Sequence, residues 1–299
     1  MVGAPSSIGI RPYDDGVVRY LNRAPQVLRE RGLIERLDAA DLSDVAPPAY
    51  QDFVRPLNRA RNEEQVAAYS RLLAQRVSSG IAQGRFALVL GGDCSVVLGC
   101  LMAARKKAGD AVGLVYVDAH ADFASPEESR TGSASGMALG LATGRGSSAL
   151  SRLAGPMPLV GDHHVALLGR RDDASDWLGH AAFAKSSILD LSSAQLQADD
   201  WREVAAATLD RVAPPDGRGF WIQVDADVLD PMTMAAVDSP EPGGPTPREL
   251  LRVLTPLVQH PRALGLSLTT YDPALDPDRS CARRLVNILE ALLAPGLLH

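Results

Sequence analysis

The chain has 299 residues, 46% hydrophobic and 22% charged, with a formal net charge of −6, a composition that supplies ample core for one large or two modest domains. A mild acidic excess without long runs of like charge argues against nucleic acid or an anionic membrane as a main partner, and no apolar stretch approaches the roughly 20 residues that span a bilayer. Cys94, Cys100 and Cys281 are too few for a disulfide framework, and with no secretory pattern at Met1–Pro5 they predict free thiols in a reducing cytoplasm.

Along the chain, short apolar runs alternate with helical patterns. Gly3-Ala4-Pro5 reads as the exit of a first strand, and Ala24-Pro25 opens a helix with proline where the first turn tolerates it. Asn62 is placed to cap a long helix whose apolar stripe runs Val66, Tyr69, Leu72 or Leu73, Val77 and Ile81. Phe86–Leu90 predicts a buried strand that turns through Gly91-Gly92-Asp93-Cys94-Ser95 into the next helix. Val112–Val117, Val165–Leu168, Phe220–Val224 and Leu264–Leu268 predict four more strands. Thr246-Pro247-Arg248-Glu249 carries a capping box before a helix, and 279–293 predicts a closing amphipathic helix. Strands spaced by helices of this length predict a parallel α/β sheet covered on both faces, and the absence of a Pro/Ser-rich linker or fixed repeat predicts one domain over 1–299.

Three of these strands end in polar clusters. Val115–Val117 runs into Asp118-Ala119-His120-Ala121-Asp122, three potential metal ligands at i, i+2 and i+4. Phe220–Val224 runs into Asp225-Ala226-Asp227-Val228-Leu229-Asp230-Pro231, and Gly91–Ser95 supplies Cys94. Open α/β sheets place their ligand sites at the carboxyl ends of strands. Asp225 and Asp227 have an alternative reading as solvated loop carboxylates. Gathering Asp118, Asp122, Asp225 and Asp227 in one place, however, raises a repulsion that cations would relieve. With one imidazole they form a hard, oxygen-rich set that suits Mn²⁺ or Mg²⁺ more than zinc, with carboxylates enough to bridge two ions.

In this order and spacing, the three segments resemble the ureohydrolase (arginase/agmatinase) family, with its Gly-Gly-Asp-His-Ser turn, Asp-Ala-His-x-Asp strand end and later Asp-x-Asp-x-x-Asp-Pro strand end. Gly3-Ala4-Pro5 and Ser239–Gly244 before the Thr246 cap match as well, so the resemblance covers nearly the whole chain. It implies a three-layer α-β-α arginase-like fold and two Mn²⁺ ions per chain. Asp118 and Asp225 would bridge both ions, His120 and Asp227 would complete one, and Asp122 and Cys94 the other. The ions would generate hydroxide from a shared water, oriented by Asp122, to attack the central carbon of a small guanidino or amidino substrate. A homo-oligomer, trimer or hexamer, is implied too.

The chain departs from the pattern in three places. Position 94 is Cys where the family has His, so it is either a soft thiolate ligand or a small buried thiol. In Arg130–Met137, where arginases carry Ser-Gly-Asn-x-His-Gly, the substrate-binding Asn becomes Ser133 and the proton-shuttle His becomes Ser135, and a hydroxyl is a poor general acid near neutrality. Thr270 stands where arginases place the Glu that pairs with the guanidinium, and after Gly169-Arg170-Arg171-Asp172 the carboxylate expected two residues on is Ala174. Substrate contacts are assigned to Ser133, Asp172 and Thr270, and catalysis to Asp122 and Ser135. The Cys and Ser replacements are similar to those of the family's N-hydroxy-L-arginine hydrolase, whose less basic substrate needs less acid assistance. Two other readings remain: a degenerate arginase-fold binding or regulatory subunit, and an amide hydrolase of the related deacetylase kind, against which the Asp118–Asp122 motif speaks. His163 and His164 are expected in a solvated loop, His260 at a helix end near the dipole, and Tyr271 either lining the pocket or packing.

Overall fold

The strands follow from short sequence runs that are mostly apolar or small. A computed structural model describes residues 1–51, 55–171 and 178–294. In it the strands are β1 (Val2–Gly3), β2 (Ala87–Leu90), β3 (Gly113–Val117), β4 (Val165–Leu168), β5 (Leu189–Leu191), β6 (Phe220–Asp225) and β7 (Ala263–Thr269). They form one sheet in the order β1-β2-β7-β6-β3-β4-β5, and every pairing is parallel. Near-continuous apolar runs are what a parallel sheet with both faces covered requires. The edge strand β5 escaped the sequence reading because its three residues, Leu-Asp-Leu, are too short for a periodic signal.

Alternation along each strand sends side chains to two cores. Val89, Leu114, Tyr116, Leu167 and Trp221 pack with the helices Glu63–Ala82 and Val96–Ala108. Leu90, Val115, Val117, Ile222, Val224 and Leu268 pack on the other face with Ala24–Glu30, Trp201–Val212, Pro247–Val258 and Ser280–Leu293. The result is a three-layer α-β-α sandwich, as expected.

Local signals mostly act as predicted. The Thr246 hydroxyl accepts from Glu249 N at 3.3 Å while the Glu249 carboxylate accepts from Thr246 N at 2.7 Å, with Pro247 in the first turn. Asn62 is an exception. It precedes the helix at φ +50° and makes no side-chain cap; its amide instead bridges Ile8 O at 3.2 Å and Gln51 N at 3.1 Å. Those tertiary partners outcompete a local bond worth about 1 kcal/mol. The Leu72/Leu73 ambiguity resolves to Leu73, which is fully buried while Leu72 is exposed.

Register positions the site. Leu90 and Val224 both lie opposite Leu268, Val117 lies opposite Val224, and Asp225 lies opposite Thr269. The segments beginning at Gly91, Asp118, Asp225 and Thr270 therefore leave four adjacent strands at one level, with neighbours about 5 Å apart.

Candidate metal centre

Side chains from adjacent strand ends converge on one cluster. Gly92 is needed in the first turn, because a Cβ there would lie 1.6 Å from Ser6 O. Asp93 does not face the cluster: it ties this loop to the N-terminal strand exit, accepting from Gly9 N at 3.1 Å, Ser6 Oγ at 3.1 Å and Ser95 N at 3.0 Å. Cys94 is thereby carried to the ends of β6 and β7, where its Sγ lies 2.8 Å from Asp225 Oδ2. Asp122 and Thr270 sit at φ +47° and +63°, a region that non-glycine residues enter at a cost of order 1 kcal/mol or more and that clusters at functional sites.

Two ligand groups result. Cys94, Asp118 and Asp225 offer donor atoms within 4.8 Å of one another, and so do Asp118, His120 and Asp227. Asp118 belongs to both. Its Oδ1 accepts from His120 N at 2.7 Å, while its buried Oδ2 has no hydrogen-bond partner among the described residues. His120 Nδ1 lies 3.1 Å from Asp227 Oδ2 and 3.5 Å from Asp118 Oδ1. Asp227 Oδ1 accepts from Ala119 N at 3.3 Å, and Asp225 Oδ1 accepts from Asp227 N at 2.9 Å and from the Thr270 hydroxyl. Asp122 is held by the Tyr116 hydroxyl, which donates to Oδ2 at 2.5 Å.

The protein atoms alone leave this charge uncompensated. Burial, and then repulsion by Asp227, push Asp118 and Asp225 well above the usual carboxylate range, and burial raises Asp122 to about 7. Burial opposes charge on His120, yet its bonds to Asp118 and Asp227 outweigh that and push it up to about 12. Asp227 is likewise burdened by burial but held low by His120. Burial and then Asp225, Asp122 and Asp118 push the Cys94 thiol up. An orphaned carboxylate oxygen among mutually repelling acids is a donor set that divalent cations fit, and leaving a buried charge unpaired is otherwise costly.

Against known proteins, the family described as "Arginase family" matches residues 12–294. The chain belongs to the arginase family. An arginase of Bacillus subtilis (strain 168) is 30% identical over 300 residues, covering 98% of each chain, and one of Staphylococcus aureus (strain MRSA252) is 28% identical over 306 residues, covering 100% of this chain and 97% of that one. The crystal structure of arginase from Bacillus cereus aligns with TM-score 0.84 at 27% identity, over 98% of this chain and 96% of that one.

Within this arginase-family frame, other residues singled out in the sequence fall as follows. Ser135 opens a 3₁₀ turn, and its Oγ accepts from Cys94 N at 3.3 Å, so it abuts the Cys94 loop. Ser133 Oγ accepts from Arg11 N at 3.1 Å, further toward the N-terminal loop. Thr270 directs its hydroxyl to Asp225 and its N–H to Gly92 O at 2.7 Å. Asp172 and Ala174 lie outside the described residues. Tyr271 packs: it is buried and donates to Asp276 Oδ2 at 2.7 Å. His260 lies just past the helix Pro247–Val258, where burial lowers its pKa and its Nδ1 accepts from Arg262 N at 3.2 Å. His163 and His164 form a 3₁₀ turn with ring centroids 4.1 Å apart, away from the cluster.

Three positioning features were not read from the sequence. Tyr116 lies inside the strand that carries Asp118, and its inward parity was a usable signal. Arg171 binds the carbonyls of Asp227 at 2.7 Å, Val228 at 3.0 Å and Glu241 at 2.7 Å, pinning the loop after β6. Between β6 and β7, Trp221 Nε1 donates to Ser267 Oγ at 2.8 Å, Ser267 donates to Gln223 Oε1, and Gln223 Nε2 donates to Thr269 Oγ1 at 2.5 Å, with Thr269 Oγ1 4.0 Å from Cys94 Sγ. No sequence signal marks that chain, because its members meet only across strands.

Proposed function

We propose that the chain is a metal-dependent hydrolase of the linear C–N bond of a small guanidino or amidino compound, acting as one domain over 1–299. The observation that carries this is Asp118, common to both ligand groups and buried with Oδ2 unpartnered, in a chain of the arginase family. The residues that would hold two divalent cations, manganese by preference for the oxygen-rich set, are Cys94, Asp118, Asp122 and Asp225 on one side and Asp118, His120, Asp225 and Asp227 on the other. When bound, such ions supply Lewis acidity and a nucleophilic hydroxide near neutral pH. Asp122, its second oxygen fixed by Tyr116, orients the attacking oxygen. Ser135, against the Cys94 loop, hydrogen-bonds the reacting group but is too weak an acid to protonate a departing amine near neutral pH, so a guanidino group less basic than that of L-arginine suits this site better. An N-hydroxyguanidino substrate has that character. Ser133, Asp172 and Thr270 are assigned to substrate binding.

A second reading, a binding or regulatory subunit that no longer catalyses, draws on Asp225, whose two oxygens are engaged by Thr270 and Cys94. Metal analysis separates the two. Two equivalents of Mn²⁺ per chain, lost on Asp225→Ala, support the hydrolase; a folded protein that binds none after manganese loading overturns it. A screen of arginine, N-hydroxyarginine, agmatine, guanidinobutyrate and formiminoglutamate for urea or its analogue identifies the substrate class. We further propose a cytoplasmic homo-oligomer, trimer or hexamer, for which sedimentation of the purified chain is the test; among the described residues no helix is long and apolar enough to cross a membrane.

A further inference from the structure

Thr270 gives its hydroxyl to Asp225, so the last strand end presents no carboxylate of its own to a cationic substrate. The segment beside it does. Val237 pairs antiparallel with Tyr271, and Asp272 N donates to Ala236 O at 2.9 Å, a register that sets Asp238 across from Thr270. The Asp238 side chain is 11% exposed.

Its neighbours Asp230, Asp272 and Asp276 are tied down by backbone N–H groups: Met232 N at 2.9 Å, Ala274 N at 2.8 Å and Ala282 N at 2.9 Å. Asp238 instead meets two side chains, the Ser239 hydroxyl at 3.1 Å and the Arg19 guanidinium. Arg19 comes from the N-terminal loop, lies 4.1 Å over the Tyr13 ring and also donates to Arg11 O. The same loop meets Ser133 through Arg11 N. A largely buried carboxylate across from Thr270 thus already holds a guanidinium, the protein's own.

We propose that Asp238 is the carboxylate that receives the guanidinium or amidinium head of the substrate, and that Arg19 occupies it until substrate displaces it. This rests on the function proposed above for its substrate class, but binding tests it without turnover. A carboxylate–guanidinium pair is planar and bidentate, so one guanidinium replaces another without rebuilding the site.

The probe is methylguanidine, titrated calorimetrically into the manganese-loaded protein. Asp238→Asn is expected to weaken binding roughly ten- to a hundredfold, the range for a charge-assisted bond, with manganese content unchanged and partial rescue by Asp238→Glu. Arg19→Ala is expected to tighten binding severalfold, because it removes the competitor. An ion pair that only clamps the loop moves both variants in the same direction, and that result overturns the proposal. So does methylguanidine binding that is absent in the native protein or indifferent to Asp238→Asn. If Asp238→Asn fails to fold, Arg19→Ala decides by the sign of its shift. Native binding with the opposed shifts, in a protein that hydrolyses no guanidino compound, sustains this inference and sinks only the assigned reaction.

Discussion

Asp118 concentrates the chemistry of the site at the level of single residues. One of its oxygens is satisfied by His120 N and the other is buried without a partner, so its anionic form is stable only with a cation. Asp118→Asn is expected to abolish binding in both ligand groups and, by removing an uncompensated buried acid, to leave the metal-free protein at least as stable as the native one; metal analysis and thermal melts check the two halves. Tyr116→Phe removes the donor to Asp122 while keeping the ring in its core. An outer hydrogen bond of this kind typically contributes ten- to a hundredfold in affinity or activity, so a loss of about that size is expected in kcat with the melting temperature little changed. Cys94 makes the donor set softer than a histidine would. Competition between Mn²⁺ and Zn²⁺ should therefore shift toward Mn²⁺ in Cys94→His, and an unchanged ratio would show that Cys94 is not a ligand.

Secondary-structure elements contribute by holding these residues level. The chain of buried donors across β6 and β7 begins at an indole N–H, which can only donate, and so runs in one direction toward Thr269 and the Cys94 loop. Thr269→Val strands the Gln223 amide in the core. A loss of about 1–3 kcal/mol is expected in chemical denaturation, the cost of one buried unsatisfied donor. On the opposite layer, Thr246→Ala should cost about 1 kcal/mol, because the capping box is local and exposed. These elements also show what was legible beforehand. Thr246 was, since cap, proline and glutamate are contiguous. Asn62 was misread, since its partners Ile8 and Gln51 are distant in sequence and only the fold brings them near.

Across the whole molecule, the cluster couples stability to pH. Asp118 and Asp225 have folded pKa values raised above their unfolded ones, and Asp122 is raised to about 7, so the folded chain without cations binds more protons than the unfolded chain above pH 4 or so. That contribution is fully present below the unfolded carboxylate range and is lost as pH rises. His120, raised to about 12, loses its share from its unfolded value upward, while Asp227, held low, loses its own only as pH falls into the acid range. Melting of the chelator-treated protein should therefore drop between about pH 5 and 8. Cations compete with those same protons, so manganese-loaded protein should gain most at the high end. A gap between the two melting curves that stays constant with pH would show that cations do not occupy these carboxylates.

The sequence by itself determined the layered parallel fold and the strand ends that carry potential metal ligands, because apolar runs and side-chain spacings of two residues are local properties. It marked Cys94, Ser135 and Thr270 as departures for the same reason. Tertiary structure alone decided what surrounds them. Strand order set Asp225 beside Cys94 and Thr270, and an antiparallel bridge set Asp238 opposite Thr270 with Arg19 upon it. Those juxtapositions join residues separated by up to 219 positions between Arg19 and Asp238, and no local pattern encodes a contact that only chain crossovers create.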